Sequence, residues 1–418
     1  VAPARGVTVN TLRCAPEGFA AGLDIPRAPS PFCRQAFAAP ADFRPGRHPW
    51  HHAGAFYAQE PSAASAAPLL DVRPGMRVCD LCAAPGGKSS QLAAALAGQG
   101  LLLANEYVPA RAEILRQNLE RMGVTNAVVT NETPDRLADA LPGWFDRVLV
   151  DAPCSGEGMF RKEPAAIAQH SPALVAQCAA TAAGILDAAA RLLAPGGVLV
   201  LSTCTFAPEE DEAQAAAFLA RHPDFVQEDL SAAGFGRPGE ANRAPETPGF
   251  AAAYCRRIWP ADGGEGHFIA RFCKQGEPQP RPEAALAKTK GRGRAARPDR
   301  AAAQVRDAWR AFAGEYFPAL ADAPVDIAGD LAVLPPPAAL PAAKLHILRA
   351  GVAAGRRPKR RVVASPRTAA WLRGEEIEAK TARPGWCAVL VDGFPLGCGK
   401  ASGGRVKNHY PKALRSLG

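Results

Sequence analysis

From Pro74 to Phe206, short apolar runs alternate with stretches of helical periodicity, and few folds satisfy that alternation. Strands joined through helices lie parallel, so both faces of their sheet are covered and each strand reads as a continuous apolar run. Strands are expected at Arg77–Leu81, Leu101–Glu106, Ala127–Thr130, Arg147–Asp151 and Val198–Ser202. Helices are expected over Lys88–Ala97, over Pro109–Met122 with proline at the first helical position, from a Ser171-Pro172 cap to about Leu193, and from Pro208 onward. His267–Cys273 (HFIARFC) is expected to return as a late antiparallel strand. The fold class is therefore α/β: a Rossmann-like, doubly wound sheet with a small N-terminal lobe and a smaller mixed α/β C-terminal region.

One core rarely grows past about 250–300 residues, so a chain of 418 holds more than one domain. Residues 1–60 read as a lobe facing the substrate and 61–273 as the sheet domain. Residues 274–300 are rich in proline, glycine and base without apolar periodicity, which makes them a flexible linker. In the C-terminal region, 301–418, Ala301–Tyr316 can form a helix with Val305, Trp309 and Phe312 along one side, and Cys387–Val391 is strand-like.

A net charge of +9 and a pI near 9.1 favour a polyanionic partner. The bases are unevenly spread: eight Lys or Arg against three acids over 274–300, six against none over Arg349–Arg361, and no acid after Asp392. An acid-free tail with Tyr410 among its bases points to nucleic acid. No uninterrupted apolar run nears the roughly 20 residues of a membrane span, and a signal peptide's basic start and apolar core are missing, so a cytoplasmic protein with no membrane role is expected. The chain opens on Val1, so native residues are expected to precede it. Eleven cysteines in a chain this long read as reduced thiols. Cys79 and Cys82 have C-x-x-C spacing without a second pair for zinc, and His48, His51 and His52 have no cysteine or carboxylate at ligand spacing, so no metal is expected.

The chemistry concentrates at strand ends. VLVDAPCSGEGMFRK, Val148–Lys162, is an apolar run delivering Asp151 and then Cys154 to the edge of the sheet, and VLVLSTCTF, Val198–Phe206, does the same for Cys204. Adjacent strands would bring both thiols and the carboxylate into one pocket. DLCAAPGGKSSQL, Asp80–Leu92, follows the first strand and opens a helix, where Gly86 and Gly87 permit close backbone approach and the helix N-terminus favours an anionic group. The stretch is neither G-x-G-x-x-G nor G-x-x-x-x-G-K-[ST], which disfavours a dinucleotide and a nucleoside triphosphate. Glu106, ending the second strand, is placed to accept hydrogen bonds from a ribose. Ribose, adenine and a small carboxylate together describe S-adenosyl-L-methionine.

CAAPGGK at 82–88, DAPC at 151–154 with SGEGMFRK, and STC at 202–204 resemble the Nop/Sun family, including RsmB and RsmF, of S-adenosylmethionine-dependent RNA 5-methylcytosine methyltransferases. The resemblance spans about residues 5–273, and the tail, VDGFPLGCGK with KNHYPKALR, looks like the PUA-like module of the RsmF branch, which modifies small-subunit ribosomal RNA. It implies cofactor binding by Cys82, Ala83, Ala84, Pro85, Gly86, Gly87, Lys88, Glu106 and Asp151, with Cys204 as nucleophile and a monomer acting on RNA. Cytosine C5 is a poor nucleophile, and a thiolate adding at C6 turns it into an enamine carbon that can take a methyl group. Asp151 would hold the ring's N3 and amine edge, and Cys154 would assist breakdown of the covalent complex. DNA cytosine methyltransferases use the Pro-Cys thiol, here Pro153-Cys154, whereas the RNA family uses Thr-Cys, here Thr203-Cys204.

Two departures stand out: Asn131-Glu132-Thr133-Pro134 replaces the family's usual Asp after the third strand, and Cys398 stands where the RsmF branch commonly has Trp. A flipped cytosine requires a grip on the flanking backbone, for which Arg161, Lys162, Lys407, His409, Tyr410 and Lys412 are the candidates. Two other readings remain: a tRNA methyltransferase with the same catalytic motifs, and an RNA-binding assembly factor with a vestigial methyltransferase domain.

Overall fold

The computed structural model describes residues 3–22, 28–277, 366–379, 385–391 and 394–410, with short pieces at 310, 326–328, 331–333, 346–347 and 415. The chain forms two units, residues 1–278 with 348–418, and residues 279–347. Of the smaller unit, Asp326–Ala328 and Leu331–Val333 pair as an antiparallel hairpin. The expected helix over 301–316, the basic run over 349–361, and nearly all of the expected linker lie outside the described residues.

The N-terminal lobe is a small antiparallel sheet of β1 (Arg5–Val9), β2 (Ala28–Pro29), β3 (Ala36–Ala39) and β4 (Phe56–Ala58), in the order β2-β3-β1-β4. Phe19, Phe37, Trp50 and Phe56 fill its core. The histidine run lies on this apolar body: burial pulls His48 down to about 4 and His51 to about 3, and His48 Nδ1 accepts the Trp50 amide at 3.2 Å.

The main sheet contains β5 (Arg77–Asp80), β6 (Leu101–Asn105), β7 (Ala127–Thr130), β8 (Phe145–Asp151), β9 (Leu193–Thr203), β10 (Phe225–Glu228), β11 (Arg237–Pro238), β12 (Arg256–Ile258) and β13 (His267–Lys274). Its order runs β11-β12-β13-β9-β8-β5-β6-β7, with β10 also paired to β13. Strands β5 to β9 are mutually parallel and β13 runs antiparallel to β9. The chain winds outward from β5 to β7 and then returns to β8, so strand order reverses between β5 and β8. Such a reversal opens a crevice beyond the strands' carboxyl ends, the usual ligand site of an open α/β sheet. Val78, Leu102, Leu149 and Val200 on successive strands are fully or almost fully buried under Leu92, Leu96, Leu115 and Leu119. Their burial is why the apolar runs are continuous rather than alternating.

The expected elements appear, with differences in bounds and some additions. The helix placed at Pro208 begins at Glu212. Glu210 and Asp211 are drawn away from the helix start, Glu210 accepting the Ser155 amide at 2.9 Å and Asp211 the Thr203 hydroxyl at 2.5 Å. A short helix, Pro134–Ala140, was not expected, though Thr133 at its cap accepts the Arg136 amide. The helix Pro172–Leu192, capped by Ser171, is long and apolar enough by length and composition to cross a membrane, although Gln177, Thr181, Asp187 and Arg191 interrupt its apolar sequence. In this fold Ala182, Ile185, Leu186 and Ala189 pack it against the domain, and its outward side carries Asp187 and Arg191.

The C-terminal module of the larger unit pairs Ile377–Glu378, Arg405–Asn408, Phe394–Ser402 and Gly385–Val391 in that order as an antiparallel sheet, with the helix Pro366–Arg373 packed on it. Trp371 is its fully buried centre, with Leu396, Val406 and Tyr410 around it. Ala53 of the N-terminal lobe belongs to the same cluster, and Trp50 meets Phe394 edge-on with ring centroids 5.0 Å apart.

Arg257 is buried between Asp211, at 2.9 Å, and Glu212, whose Oε1 it meets at 2.6 Å. Because Asp211 also holds Thr203, this cluster fixes the end of β9. Removing one member of a buried ion cluster leaves uncompensated charge, so Arg257→Met should destabilise the protein by about 3–5 kcal/mol in urea denaturation.

Candidate functional site

The site is built where β8 and β9 end. Asp151 is the last residue of β8: its Oδ1 accepts the Ser202 hydroxyl at 2.6 Å, and its Oδ2 meets Lys88 Nζ at 2.6 Å. Cys154 follows in the loop and Cys204 comes directly after β9, and their Sγ atoms are 3.4 Å apart. Both cysteines are partly exposed rather than sealed in the core.

The two loops are tied together at several points. Ser155 Oγ lies 2.8 Å from Thr205 Oγ1, and Glu157 accepts the Phe206 amide at 2.8 Å and the Thr205 hydroxyl at 3.1 Å. The Gly158 amide donates to the Cys204 carbonyl at 2.8 Å, and a Cβ at Gly158 would collide with that oxygen. The SGEG stretch thus serves to hold one thiol loop against the other.

Charge divides the two sulfurs. Cys204 is drawn below the ordinary thiol range, first by the hydrogen bond from Cys154 and also by the Lys88 ammonium, against burial and the Asp151 charge. Cys154 is driven well above that range, by the same hydrogen bond and by burial. Of the two sulfurs, Cys204 is the one on which a thiolate is favoured. Burial disfavours charge on Asp151, yet Lys88, His267 and the hydroxyl of Ser202 hold it below the usual carboxylate range. Lys88 loses to burial and regains more from Asp151 and Cys204, so its ammonium persists.

His267, which the sequence did not single out, is 2% exposed, with Nε2 4.0 Å from Asp151 Oδ1. Burial pulls it down to about 3, making it a neutral imidazole beside the pair. Its only sequence signal is its place just before Phe268, which pairs with Thr203. Asp80, buried below the loop, is pushed up to about 7, mainly by burial, and its Oδ2 accepts the Ser89 hydroxyl at 2.6 Å.

Residues 82–88 lie over the ends of β5 and β6, anchored by the Ala83 amide on the Asn105 carbonyl at 2.8 Å. Gly86 has φ +112°, a conformation that favours glycine, and no side chain caps the helix Gly87–Leu96 that it opens. Burial pushes the Cys82 thiol well up, so it stays protonated. Arg111 donates to the Ala84 carbonyl at 3.0 Å, and Tyr57 and Asn118 to that of Pro85 at 3.0 and 2.8 Å. Glu106, buried just past β6, accepts the Val108 amide at 2.9 Å and lies 3.5 Å from Arg111. Asn131, at the departure noted after the third strand, donates to the carbonyls of Glu106 and Tyr107, both at 2.7 Å, and so shapes this rim through the backbone.

The proposed nucleic-acid contacts fare unevenly. Tyr410 is 4% exposed and belongs to the core of the C-terminal module, so it presents no face for stacking. Its place among bases misled because sequence neighbourhood does not report burial. Arg161 is turned inward, donating to Glu265 and to the Gly264 carbonyl, both at 2.8 Å, rather than outward to a phosphate. Lys162 is half-buried near the thiols: burial lowers its pKa, while Glu60, Glu265 and Cys204 act to raise it. Lys407 and His409 are exposed, and Lys412 lies outside the described residues. Cys398 is exposed on its strand.

Residues 67–273 match the family described as 16S rRNA methyltransferase RsmB/F, and residues 363–416 match the methyltransferase RsmF PUA domain. Ribosomal RNA small subunit methyltransferase F of Cronobacter sakazakii is 38% identical over 289 residues, covering 66% of this chain and 58% of that protein. The protein of the same name from Escherichia coli is 37% identical over 279 residues, covering 65% and 57%. The chain thus spans somewhat under three-fifths of the length of the curated relatives it matches. Among solved structures, a methyltransferase homolog protein from Pyrococcus horikoshii is similar with a TM-score of 0.58 at 28% identity, covering 66% of this chain and 87% of that one. NSun6 from Pyrococcus horikoshii, solved with SFG, shares the fold with a TM-score of 0.55 at 20% identity, over 66% and 92%. With both its sheet domain and its C-terminal module matched, the chain belongs to the RsmB/F methyltransferase family and carries the PUA domain of RsmF.

Proposed function

We propose that this chain methylates C5 of a cytosine in small-subunit ribosomal RNA, using S-adenosyl-L-methionine. The observation that carries the reading is the pair of sulfurs 3.4 Å apart, one favouring the thiolate and the other the thiol, beside the Lys88–Asp151 pair. The shared name of the relatives, ribosomal RNA small subunit methyltransferase F, supports the choice of RNA.

The residues present suit the cofactor. A helix N-terminus without a side-chain cap faces the crevice for a carboxylate, glycines at 86 and 87 allow close approach, and the buried Glu106 lies at the next strand end for a ribose. When bound, the cofactor supplies an electrophilic methyl group.

Everything else falls to the chain. Cys204 Sγ forms a bond to C6 of the flipped base, moving electron density to C5. Asp151 accepts a hydrogen bond from the ring's exocyclic amine, and the Lys88 ammonium behind it compensates the negative charge that develops on the ring as the adduct forms. Once C5 carries the methyl group, its proton passes to water, the C5–H electron pair forms C5=C6, and the C6–S bond breaks with its electrons leaving on Cys204 as thiolate. Cys154, an S–H donor beside that sulfur, assists the departure. Lys162, near Cys204, supplies positive charge at the mouth for the flanking phosphate.

Cys204→Ala should abolish both methyl transfer and the gel-stable protein–RNA complex, whereas Cys154→Ala should let the covalent complex accumulate. The assay uses labelled cofactor with deproteinised ribosomal RNA, intact small subunits and tRNA. A stable complex in Cys204→Ala but not in Cys154→Ala would reverse the two roles, and RNA binding without labelling of any substrate would favour an assembly factor.

The same hydrogen bond sets a pH dependence. Wild-type Cys204 should be alkylated by iodoacetamide with an apparent pKa below the roughly 8.5 of a free thiol. Cys154→Ala removes the donor that stabilises the thiolate, so the alkylation curve should move to higher pH. A curve that stays in place means that Lys88 alone sets the thiolate.

A further inference from the structure

Of the side chains that hold the loop 82–88, Tyr57 and Asn118 converge on a single acceptor. Tyr57 projects from β4 of the N-terminal lobe and Asn118 from the helix Pro109–Met122. The Tyr57 hydroxyl donates to the Pro85 carbonyl at 3.0 Å, the Asn118 amide donates to the same oxygen at 2.8 Å, and Asn118 also reaches the Tyr57 oxygen at 3.3 Å. A carbonyl oxygen has two lone pairs, and both are taken. Burial pushes the Tyr57 phenol up to about 12, so it stays an O–H donor at neutral pH.

The peptide plane gives this contact its consequence. In a planar trans peptide the carbonyl and the following N–H point in opposite directions. Fixing the Pro85 carbonyl toward Tyr57 and Asn118 turns the Gly86 N–H away from them. The neighbouring contact, Arg111 on the Ala84 carbonyl, orients no donor, because the next residue is Pro85 and has no N–H. Packing reinforces the arrangement: a Cβ at Gly87 would stand 3.3 Å from both Tyr57 Cε1 and Gln59. Gln59, also in the N-terminal segment, accepts from Thr8 at 2.8 Å and donates to Gln91 of the loop's helix at 3.2 Å.

We propose that Tyr57 and Asn118 are positioning residues for the cofactor, aiming the Gly86 N–H at it, so that the N-terminal lobe sets the affinity for S-adenosyl-L-methionine. This rests on the assignment of residues 82–88 as the cofactor loop. Neither side chain touches the reacting atoms.

The test is calorimetric binding of S-adenosylhomocysteine to the full chain and to Tyr57→Phe, Asn118→Ala and the double variant. Each single change should weaken binding about five- to tenfold, the worth of one hydrogen bond, and the double variant should fall short of the product because both act on one oxygen. The KM for the methyl donor should rise with kcat kept at saturation. Melting of the unliganded variants and alkylation of Cys204 should match the wild type, which a purely structural role would not allow. Equal affinity in wild type and variants, or weaker binding only in step with lost melting temperature, overturns the proposal. Failure of the wild type to bind S-adenosylhomocysteine removes the cofactor loop's assignment and the proposal together.

Discussion

Asp151 and Lys88 meet at the point where the strand order reverses, with the ammonium almost wholly withdrawn from solvent. Taking two charges out of water is expensive, and the cost is recovered only when the remaining hydrogen-bonding capacity is met. Here Ser202 takes the other carboxylate oxygen, and Ser202 is the β9 residue in register with Asp151. The pairing of β8 with β9 is therefore both the backbone of the sheet and the means by which the charge pair is completed. Cys204 inherits its electrostatic setting from that pair: an ammonium that favours the thiolate and a carboxylate that opposes it. The hydrogen bond from Cys154 and the Lys88 ammonium act together in favour of that thiolate.

The second requirement is mechanical. Two thiols fifty residues apart in sequence stay within contact distance because the loops carrying them share hydrogen bonds through Ser155, Glu157, Gly158 and Thr205. None of these side chains needs to touch substrate. They hold the donor and acceptor sulfurs in a geometry that two independent surface loops would not maintain.

Much of this arrangement was legible in the sequence, for a physical reason. Strands buried on both faces must be apolar through their length, so the polar residues that follow each run, Asp151, Ser202 to Cys204, and Asn105 with Glu106, mark the strand end and hence the rim of the crevice. The carboxyl ends of parallel strands lie on one side, which makes strand-end residues neighbours without any further information. Tyr57, Asn118 and His267 escaped because each is placed by tertiary contacts and leaves no periodic trace. The lobe's strands, two to five residues long, are too short for alternation to declare itself. Tyr410 and Arg161 show the opposite failure: residue types suited to binding RNA are equally suited to closing a core or pairing with a buried acid.

The edge-on contact of Trp50 with Phe394, and the place of Ala53 beside Trp371 and Tyr410, join parts of the chain more than three hundred residues apart. A polypeptide made from its amino end emerges with Trp50 well before Phe394. During synthesis the lobe must therefore wait, one apolar side uncovered, for the C-terminal module to arrive. The lobe's completion thus belongs to a segment made long after it.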